Sequence, residues 1–316
     1  MSLRTRATRL LALALAMTLY SPMGLTVALP DYIAEKVAAN TWVIHGPIGL
    51  PTPANGGFMN NPVFSVTETG VVVIDPGSSL QSGEMVLRQV AKITDKPVTH
   101  VFSTHIHGDH WLGNHAIHNQ YPNAKFYAHP KMIELAHAGE AESWINLMEQ
   151  LTEGATTGTK AIIPAEALEN GQEIKVDGLT FRAHLTDHAH TKTDAMIEVV
   201  EDSVMVLGDN VLNRRLGRMD DGSFRGNIKA CEMAQATEAK TFVPGHGPSG
   251  DSRVLGFCNY LTSLYELVGE QVEEGLSDFE MKPIIAEKLK GYEKWSGFGQ
   301  EFGKHISLAV LEYEQA

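Results

Sequence analysis

Cysteine is nearly absent from this sequence, with only Cys231 and Cys258 among its 316 residues. Neither residue belongs to a Cys-x-x-Cys pair, which argues against a metal site built from thiolates. Two cysteines are compatible with one disulfide bond or with two buried free thiols, and the sequence leaves that choice open.

Positive charge is also in short supply, since 25 Lys and Arg residues oppose 38 Asp and Glu residues and the formal net charge is -13. An acidic surface repels the phosphate backbone of DNA and RNA, so we expect no nucleic-acid partner. One close cationic cluster is formed by Arg214, Arg215 and Arg218. A solvated loop explains this cluster as well as a site where Arg214 or Arg215 binds a substrate carboxylate.

One apolar run stands out near the start of the chain, LLALALAMTLY at Leu10–Tyr20, and it is too short to span a membrane as a helix. Basic residues precede the run and helix-breaking residues follow it: Arg4, Arg6, Arg9, Ser21, Pro22 and Gly24. This order predicts a secretory signal peptide over residues 1–28, with an uncleaved anchor or a buried helix as alternatives. We therefore expect a periplasmic or secreted protein without a stable membrane anchor after cleavage.

The rest of the chain alternates between strand-like and helix-like segments. Runs rich in Val and Ile between turn residues predict strands, among them a hairpin formed by PVFSVTE and GVVVIDPG. Apolar residues at helical spacing predict the helices Ser82–Thr94, Lys131–Gln150, Val254–Glu274, Ser277–Leu289 and Glu301–Tyr313. This alternation predicts α/β layering in one domain over residues 29–316, with ligands at the strand ends.

Three histidines and one aspartate lie within six residues in the stretch THIHGDH. His105, His107, Asp109 and His110 occupy a loop that follows a predicted strand. This spacing can direct some side chains to one metal ion and others to a second ion nearby. Imidazole and carboxylate ligands without thiolate suit Zn²⁺, and also Fe²⁺ or Mn²⁺.

Further candidate ligands follow three later predicted strands: His188 and His190 in DHAHT, Asp209 in VLGDN and His246 in VPGHG. GVVVIDPG, which contains Asp75, and THIHGDH complete a set of five motifs. The order of these five motifs along the chain is that of the metallo-β-lactamase superfamily, which the sequence resembles over Thr41–Pro248. The resemblance implies an α/β fold, a four-layer αββα sandwich with C-terminal helices, and a metal-dependent hydrolase.

The family pattern also implies a role for each residue. The first metal ion would be bound by His105, His107 and His190, the second by Asp109, His110 and His246, and Asp209 would bridge the two. Asp75 would position the ligand loop, and His188 is the alternative to His190. We expect two Zn²⁺ ions per chain, with Fe or Mn as alternatives.

The resemblance further implies that a water molecule between the two metal ions is the nucleophile. Two Zn²⁺ ions about 3.5–4 Å apart lower the pKa of that water and polarise the carbonyl group under attack. Asp109 would be the catalytic residue, because its carboxylate can orient the water and accept its proton. The expected substrate is a small ester, thioester, lactone or amide.

Two positions distinguish branches of this family. Histidine at position 107, where the oxygen-reducing diiron branch has glutamate, argues against that branch. The family's β-lactamases usually carry cysteine or serine where this chain has Asp209. The chain is more similar to glyoxalase-like hydrolases and, less specifically, to exported hydrolases associated with sulfur oxidation and quinoproteins.

Two other activities are kept as alternatives. One is a β-lactamase that hydrolyses β-lactam antibiotics. The other is a mononuclear iron oxygenase, similar to persulfide dioxygenases, that uses only His105, His107 and His190. Substrate contacts are expected in the Gly46–Gly57 loop and in the Asn213–Asn227 segment. For Trp111 we expect a packing role, with a substrate contact as the alternative. The sequence does not indicate an oligomeric state.

Overall fold

The computed structural model describes residues 28–315. The predicted signal peptide therefore lies outside the described residues, apart from Ala28. The strands are β1 (Ala34–Lys36), β2 (Thr41–Ile44), β3 (Val63–Val66), β4 (Val71–Ile74), β5 (Val98–Phe102), β6 (Lys125–Ala128), β7 (Glu166–Ala167), β8 (Glu173–Val176), β9 (Leu179–Leu185), β10 (Ala195–Val199), β11 (Val204–Gly208) and β12 (Thr241–Pro244). The α-helices are α1 (Leu80–Ala91), α2 (Gly108–Trp111), α3 (Asn114–Gln120), α4 (Pro130–Leu135), α5 (Ala141–Leu151), α6 (Phe224–Gln235), α7 (Gly256–Glu273), α8 (Asp278–Lys288) and α9 (Phe298–Glu314).

Two mixed sheets form the centre of the fold. The first sheet contains β1 to β7 in chain order, antiparallel from β1 to β4 and parallel from β4 to β7. The second sheet has the order β12-β11-β10-β9-β8, in which β11 and β12 are parallel and the other neighbours antiparallel. Parallel neighbours end at the same edge of a sheet, so the segments that follow β4 and β5 are brought together, as are those that follow β11 and β12.

Alternation along β4 shows how the layers are stacked. Val72 and Ile74 point into the core between the two sheets, where they join Phe181 of the second sheet. Val71 and Val73 point to the opposite face and pack with α1. Successive side chains of a strand face opposite sides, so a strand buried on both sides needs the continuous apolar sequence seen here.

Helices cover the outer face of each sheet. On the second sheet, Met196 of β10 and Met205 of β11 belong to the core formed with α6 to α9. The layers are therefore helix, sheet, sheet and helix, which confirms the αββα prediction with C-terminal helices. Ser277 and Glu280 form a capping box at the start of α8. Within residues 28–315 no helix is both long enough and apolar enough to cross a bilayer.

The helix predicted over Lys131–Gln150 is interrupted. A π-helical turn at Ala136–Glu140 separates α4 from α5. Gly139 has a φ angle of 117° in this turn, a conformation that glycine adopts at little cost. The segment therefore forms two helices that differ in direction.

Helix α6 was not predicted from the sequence. Its N-cap is Ser223, whose side chain accepts a hydrogen bond from the backbone N–H of Gly226. The carboxylate of Glu312 in α9 accepts hydrogen bonds from Ser223 Oγ and from the backbone N–H groups of Phe224 and Arg225 at 2.7–3.0 Å. A carboxylate at a helix N-terminus is favourable, so α9 stabilises the start of α6.

The two cysteines form a disulfide bond. Cys231 of α6 and Cys258 of α7 are linked with a Cα–Cα distance of 5.8 Å. The bond lies in the buried core on the outer face of the second sheet. The structure thus answers the question that the sequence left open.

Candidate metal centre

All seven predicted ligand residues lie together at one edge of the sandwich. The loop with THIHGDH follows β5, and the later ligands follow β9, β11 and β12. Six of the seven are buried, and His107 is partly exposed. The side chains therefore come from four strand ends that the two sheets bring to the same place.

Asp75 holds the ligand loop in position. It follows β4, and its carboxylate accepts hydrogen bonds from Thr104 N at 2.8 Å, from Thr104 Oγ1 at 2.7 Å and from His110 Nδ1 at 2.7 Å. Its φ angle of 53° is uncommon outside glycine. These contacts support the positioning role expected of Asp75.

Hydrogen bonds at Nδ1 orient three of the histidine rings. Thr104 Oγ1 lies 3.0 Å from Nδ1 of His105, and the Met59 carbonyl lies 2.8 Å from Nδ1 of His246. The His110 ring is held by the carboxylate described above. When Nδ1 donates its proton, Nε2 of a neutral ring carries the free lone pair. The three Nε2 atoms are therefore available to a metal ion.

The His107 ring has the reverse arrangement, because its Nε2 contacts a supporting carboxylate and its Nδ1 faces another candidate ligand. Its Nε2 lies 3.3 Å from Asp221 Oδ2, and its Nδ1 lies 3.0 Å from Nε2 of His190. Asp221 precedes α6 and was not singled out from the sequence, because no local motif marks its contact with His107. His188 Nε2 instead donates to the backbone carbonyl of Asp221 at 3.0 Å.

The candidate ligand atoms form three overlapping groups, each with all atoms within 4.8 Å of one another. The groups are His105 with His107 and His190, His105 with His110 and Asp209, and Asp109 with His110 and His246. This grouping includes His190 and not His188. Metal binding by these residues stays a prediction.

Asp209 lies between the outer groups. Its Oδ1 is 3.1 Å from Nε2 of His110, and its Oδ2 is 3.3 Å from Nε2 of His246 and 3.6 Å from Nε2 of His190. Gly245 makes this packing close, since a Cβ at that position would collide with Asp209 Oδ1. Asp209 therefore lies within 3.6 Å of ligand atoms from both outer groups.

Burial determines the charge of His105 and His190. It lowers the pKa of His190 to about 3 and holds the pKa of His105 well below its usual value. Neutral imidazole is the form that binds a metal ion. Burial also acts to lower the pKa of His110, but Asp209 and Asp109 outweigh it and raise that pKa well above the usual value. A metal cation would replace this proton.

The two carboxylates of the centre are ionised although they are buried. Burial acts to raise the pKa of Asp109, but His110 and His246 outweigh it and hold the pKa low. For Asp209 burial is likewise outweighed, in this case by His246 and then His110. The centre therefore offers negative charge to a cation.

The donor atoms fit divalent metal ions. Nε2 of His110 lies 3.3 Å from Nε2 of His246, and Nε2 of His105 is buried without a hydrogen-bond partner within residues 28–315. In the metal-free centre the proton of His110 lies between these two nitrogens, and a metal ion would take its place. Nitrogen ligands about 2.0–2.1 Å from a tetrahedral Zn²⁺ lie about 3.3 Å from each other, which is close to the spacing here.

A cavity of about 750 Å³ opens beside His107, and we call it the His107 cavity. Trp144 of α5 forms part of its wall, with a ring centroid 4.8 Å from that of His107. Leu147 and Lys192 also line it, as does Asp221 from the expected Asn213–Asn227 segment. Trp144 was missed because it lies in the helical segment and no motif adjoins it.

Trp111 packs in the interior. Its side chain is fully buried and its Nε1 donates a hydrogen bond to the Ile106 carbonyl at 2.8 Å. It belongs to the apolar cluster beneath α4 and α5. Trp111 therefore supports the metal loop from below, in agreement with the packing role expected of it.

The model of the metallo-beta-lactamase superfamily matches residues 55–246, more than half of the chain. The chain belongs to the metallo-beta-lactamase superfamily. This confirms the family predicted from the five motifs and the enzyme class, a metal-dependent hydrolase. Members of the superfamily commonly bind divalent metals, in agreement with the histidine and aspartate groups found here.

Curated relatives of this superfamily chain are distant. An atrochrysone carboxyl ACP thioesterase of Pseudocercospora fijiensis is 27% identical over 252 residues, which cover 67% of this chain and 66% of that protein. A probable metallo-hydrolase of Streptococcus pyogenes is 24% identical over 198 residues, covering 60% of this chain and 79% of that protein. The match thus spans just under two thirds of the thioesterase.

Solved structures of the superfamily share the fold. A metallo-beta-lactamase from Pontibacter korlensis superposes with a TM-score of 0.58 at 18% identity, over 72% of this chain and 98% of that chain. A metallo-beta-lactamase from Hirschia baltica has a TM-score of 0.54 at 21% identity, over 74% of this chain and 98% of that chain. At these identities the likeness extends to the fold alone.

Proposed function

We propose that this member of the superfamily is an exported dinuclear zinc hydrolase that cleaves small thioesters and related esters. The observation that carries the proposal is the pair of three-residue donor groups with Asp209 between them. His105, His107 and His190 would hold one ion and Asp109, His110 and His246 the other. The absence of thiolate donors from the centre supports zinc held by nitrogen and oxygen, with iron and manganese as competing metals.

When bound, two such ions lower the pKa of a water molecule and polarise the substrate carbonyl. The role of Asp109 follows from its position within the centre. Its carboxylate is held ionised, and Oδ2 lies 3.3 Å from Nε2 of His246. A carboxylate at this point can orient a water molecule and accept its proton before passing that proton to the leaving group.

Thioesters are the favoured substrates because of one relative and one feature of the site. The Pseudocercospora fijiensis relative is named as an acyl-carrier-protein thioesterase. The His107 cavity has an apolar side formed by Trp144, Leu135 and Leu147, which suits the acyl chain or the thiol arm of such a substrate. Asp209, where the family's β-lactamases usually carry cysteine or serine, favours this class over β-lactams.

Export is supported by two independent features. The basic residues and the apolar run before residue 28 have the order of a signal peptide. The Cys231–Cys258 disulfide bond is typical of proteins that mature in an oxidising compartment. We therefore place the enzyme in the periplasm or outside the cell.

The decisive experiment measures zinc, iron and manganese per chain together with turnover of four substrates. These are an acyl-glutathione thioester, a lactone, a chromogenic β-lactam and a persulfide with oxygen consumption as the readout. We expect two zinc ions and thioester hydrolysis. One iron ion with oxygen uptake would instead establish the mononuclear oxygenase, and preferential β-lactam turnover would establish a β-lactamase.

The role of Asp109 is tested by Asp109→Asn, with Asp95→Asn on the loop after α1 as the matched control. Loss of the carboxylate should lower kcat at least about 100-fold, the usual contribution of a proton-transferring group, with the circular dichroism spectrum unchanged. The control should retain full activity. Undiminished turnover in Asp109→Asn would exclude the proposed role.

A further inference from the structure

A second cavity, of about 610 Å³, adjoins the His107 cavity, and we call it the lateral cavity. One wall is the loop after β9, with Thr186 and His188, and the other is the face of α6 that carries Arg225 and Lys229. His188 lines both cavities. The lateral cavity therefore lies next to the space beside the metal centre.

Two cations face this space in a protein with an excess of acid. Arg225 and Lys229 are four residues apart on α6, so their side chains leave the same face of the helix. Within residues 28–315 neither forms an ion pair with a carboxylate. The opposing charge in the lining is Asp187, which is exposed at the rim. Arg225, Lys229 and Asp187 together carry a formal charge of +1, which favours the binding of an anion.

Neutral donors in the lining add to this preference. The hydroxyl of Thr186 is buried, and within the described chain it has no hydrogen-bond partner. His129 Nδ1 accepts a hydrogen bond from Lys131 N at 3.0 Å, so the proton of its neutral ring is on Nε2. An unpaired buried hydroxyl is costly unless a ligand or water satisfies it, and Thr186 is one of the residues that line the cavity.

The helical wall of the lateral cavity packs directly against the segment that carries the candidate metal ligand His190. Gly226 of α6 packs against the His188 carbonyl so closely that a Cβ would overlap it, and Gly222 lies against the carbonyls of Ala189 and His190. The start of α6 and the segment that carries His190 therefore form one packed unit. A group bound to Arg225 is held at a set position relative to the metal centre.

We infer that the lateral cavity binds an anionic group, a phosphate or a carboxylate, at the end of the substrate remote from the cleaved bond. The inference rests on the proposed function, which places the cleaved bond at the metal centre. It deepens that function by assigning the substrate class: thioesters and esters whose leaving group ends in an oxyanion. Arg225 and Lys229 supply charge-assisted hydrogen bonds to it, and Thr186 a neutral one.

The binding test uses a matched pair of unreactive ligands, the S-acetonyl thioethers of pantetheine and of 4′-phosphopantetheine. They differ only in the terminal phosphate. Calorimetry on the metal-loaded protein should show about tenfold tighter binding of the phosphorylated ligand, equivalent to about 1.4 kcal/mol. Inorganic phosphate is titrated separately, and binding of phosphate alone as tightly as of the whole ligand would assign the cavity to a free anion and overturn the inference.

Variants test which residues cause the preference for the phosphorylated ligand. Arg225→Gln with Lys229→Gln should reduce the tenfold preference to near one, and Thr186→Val, which keeps the shape of the side chain, should reduce it in part. Lys282→Gln with Lys288→Gln removes the same charge from the exposed face of α8 and should leave the preference intact. A preference that survives the first double variant, or falls equally in the control, would overturn the inference.

These measurements need no turnover, so they separate the two proposals. If no ester or thioester is hydrolysed, the proposed function fails whatever the calorimetry shows. If thioesters are hydrolysed but the two ligands bind equally, only the lateral cavity assignment fails.

Discussion

At the residue scale, the orientation of each candidate ligand histidine depends on the hydrogen-bond partner of the ring nitrogen that does not face the metal site. Four of the candidate ligand histidines have such a partner, and these partners are Thr104, Asp221, Asp75 and the Met59 carbonyl. His190 is the exception, since its Nδ1 is buried without a partner in the described part of the chain. The partners lie in different segments, so ring orientation depends on the whole fold.

Asp221 provides a test of this dependence. Asp221→Ala leaves Nε2 of His107 without its acceptor, so the ring is less well oriented and less basic. We expect affinity for the metal ion of the first group to fall about 10–100-fold, measured by competition with a chromophoric chelator. Asp220→Ala removes a neighbouring carboxylate that pairs with Arg218 and serves as the control. Equal affinities in the two variants would contradict the role of Asp221.

Asp194 gives the metal-free protein a defined pH dependence. Burial raises the pKa of its carboxyl to about 7, although Thr191 donates two hydrogen bonds to it. In the unfolded chain the pKa is about 3.9, so between these values the folded state binds a proton that the unfolded state has lost. The Asp194 contribution to stability is therefore present below about pH 4 and is lost as the pH rises towards about 7.

Asp194→Asn isolates this contribution from that of the histidines. In metal-free protein, the free energy of unfolding of the wild type should fall relative to that of the variant as the pH rises from 5 to 7, by at most about 1.4 kcal/mol per pH unit. Urea denaturation at several pH values measures the difference. A difference independent of pH would show that the carboxyl is already ionised at pH 5.

At the element scale, α6 connects the outer helices to the metal centre. Its first turn packs on the His190 segment, Glu312 caps it, and Cys231 ties it to α7. It also belongs to the buried core that includes Met196 and Met205 on the outer face of the second sheet. Its position therefore depends on the C-terminal helices.

The disulfide bond should contribute measurably to this arrangement. Cys231→Ala with Cys258→Ala opens a loop with a sequence separation of 27, for which chain entropy gives about 3–4 kcal/mol of lost stability. Guanidinium denaturation with and without reductant measures the loss. Reductant should destabilise the wild type and leave the double variant unchanged, and an identical midpoint for the two proteins would exclude a stabilising bond.

The same elements show what the sequence can predict. The ligands that follow β5, β9, β11 and β12 were identified because each lies in a local motif next to a strand. Asp221 and Trp144 come from segments that approach His107 only after folding, so no local spacing marks them. The break at Gly139 and the existence of α6 were missed for a related reason, since tertiary contacts such as the Glu312 cap decide them.

At the scale of the whole molecule, stability and metal content should be coupled. A metal ion that binds only the folded state stabilises it by mass action, by about 4 kcal/mol when its concentration is a thousand times its dissociation constant. Chelation should therefore lower the melting temperature in scanning calorimetry, and added Zn²⁺ should restore it. A melting temperature unaffected by chelation and by Zn²⁺ would be evidence against metal binding at the buried centre.

The cap that Glu312 provides has a consequence for the order in which the protein is made. The candidate ligands are complete in the growing chain once His246 has been synthesised. The residue that fixes the start of α6, and through it the His190 segment, leaves the ribosome only after α7, α8 and most of α9. A chain cut short before Glu312 would therefore contain every candidate ligand but lack the residue that fixes the start of α6.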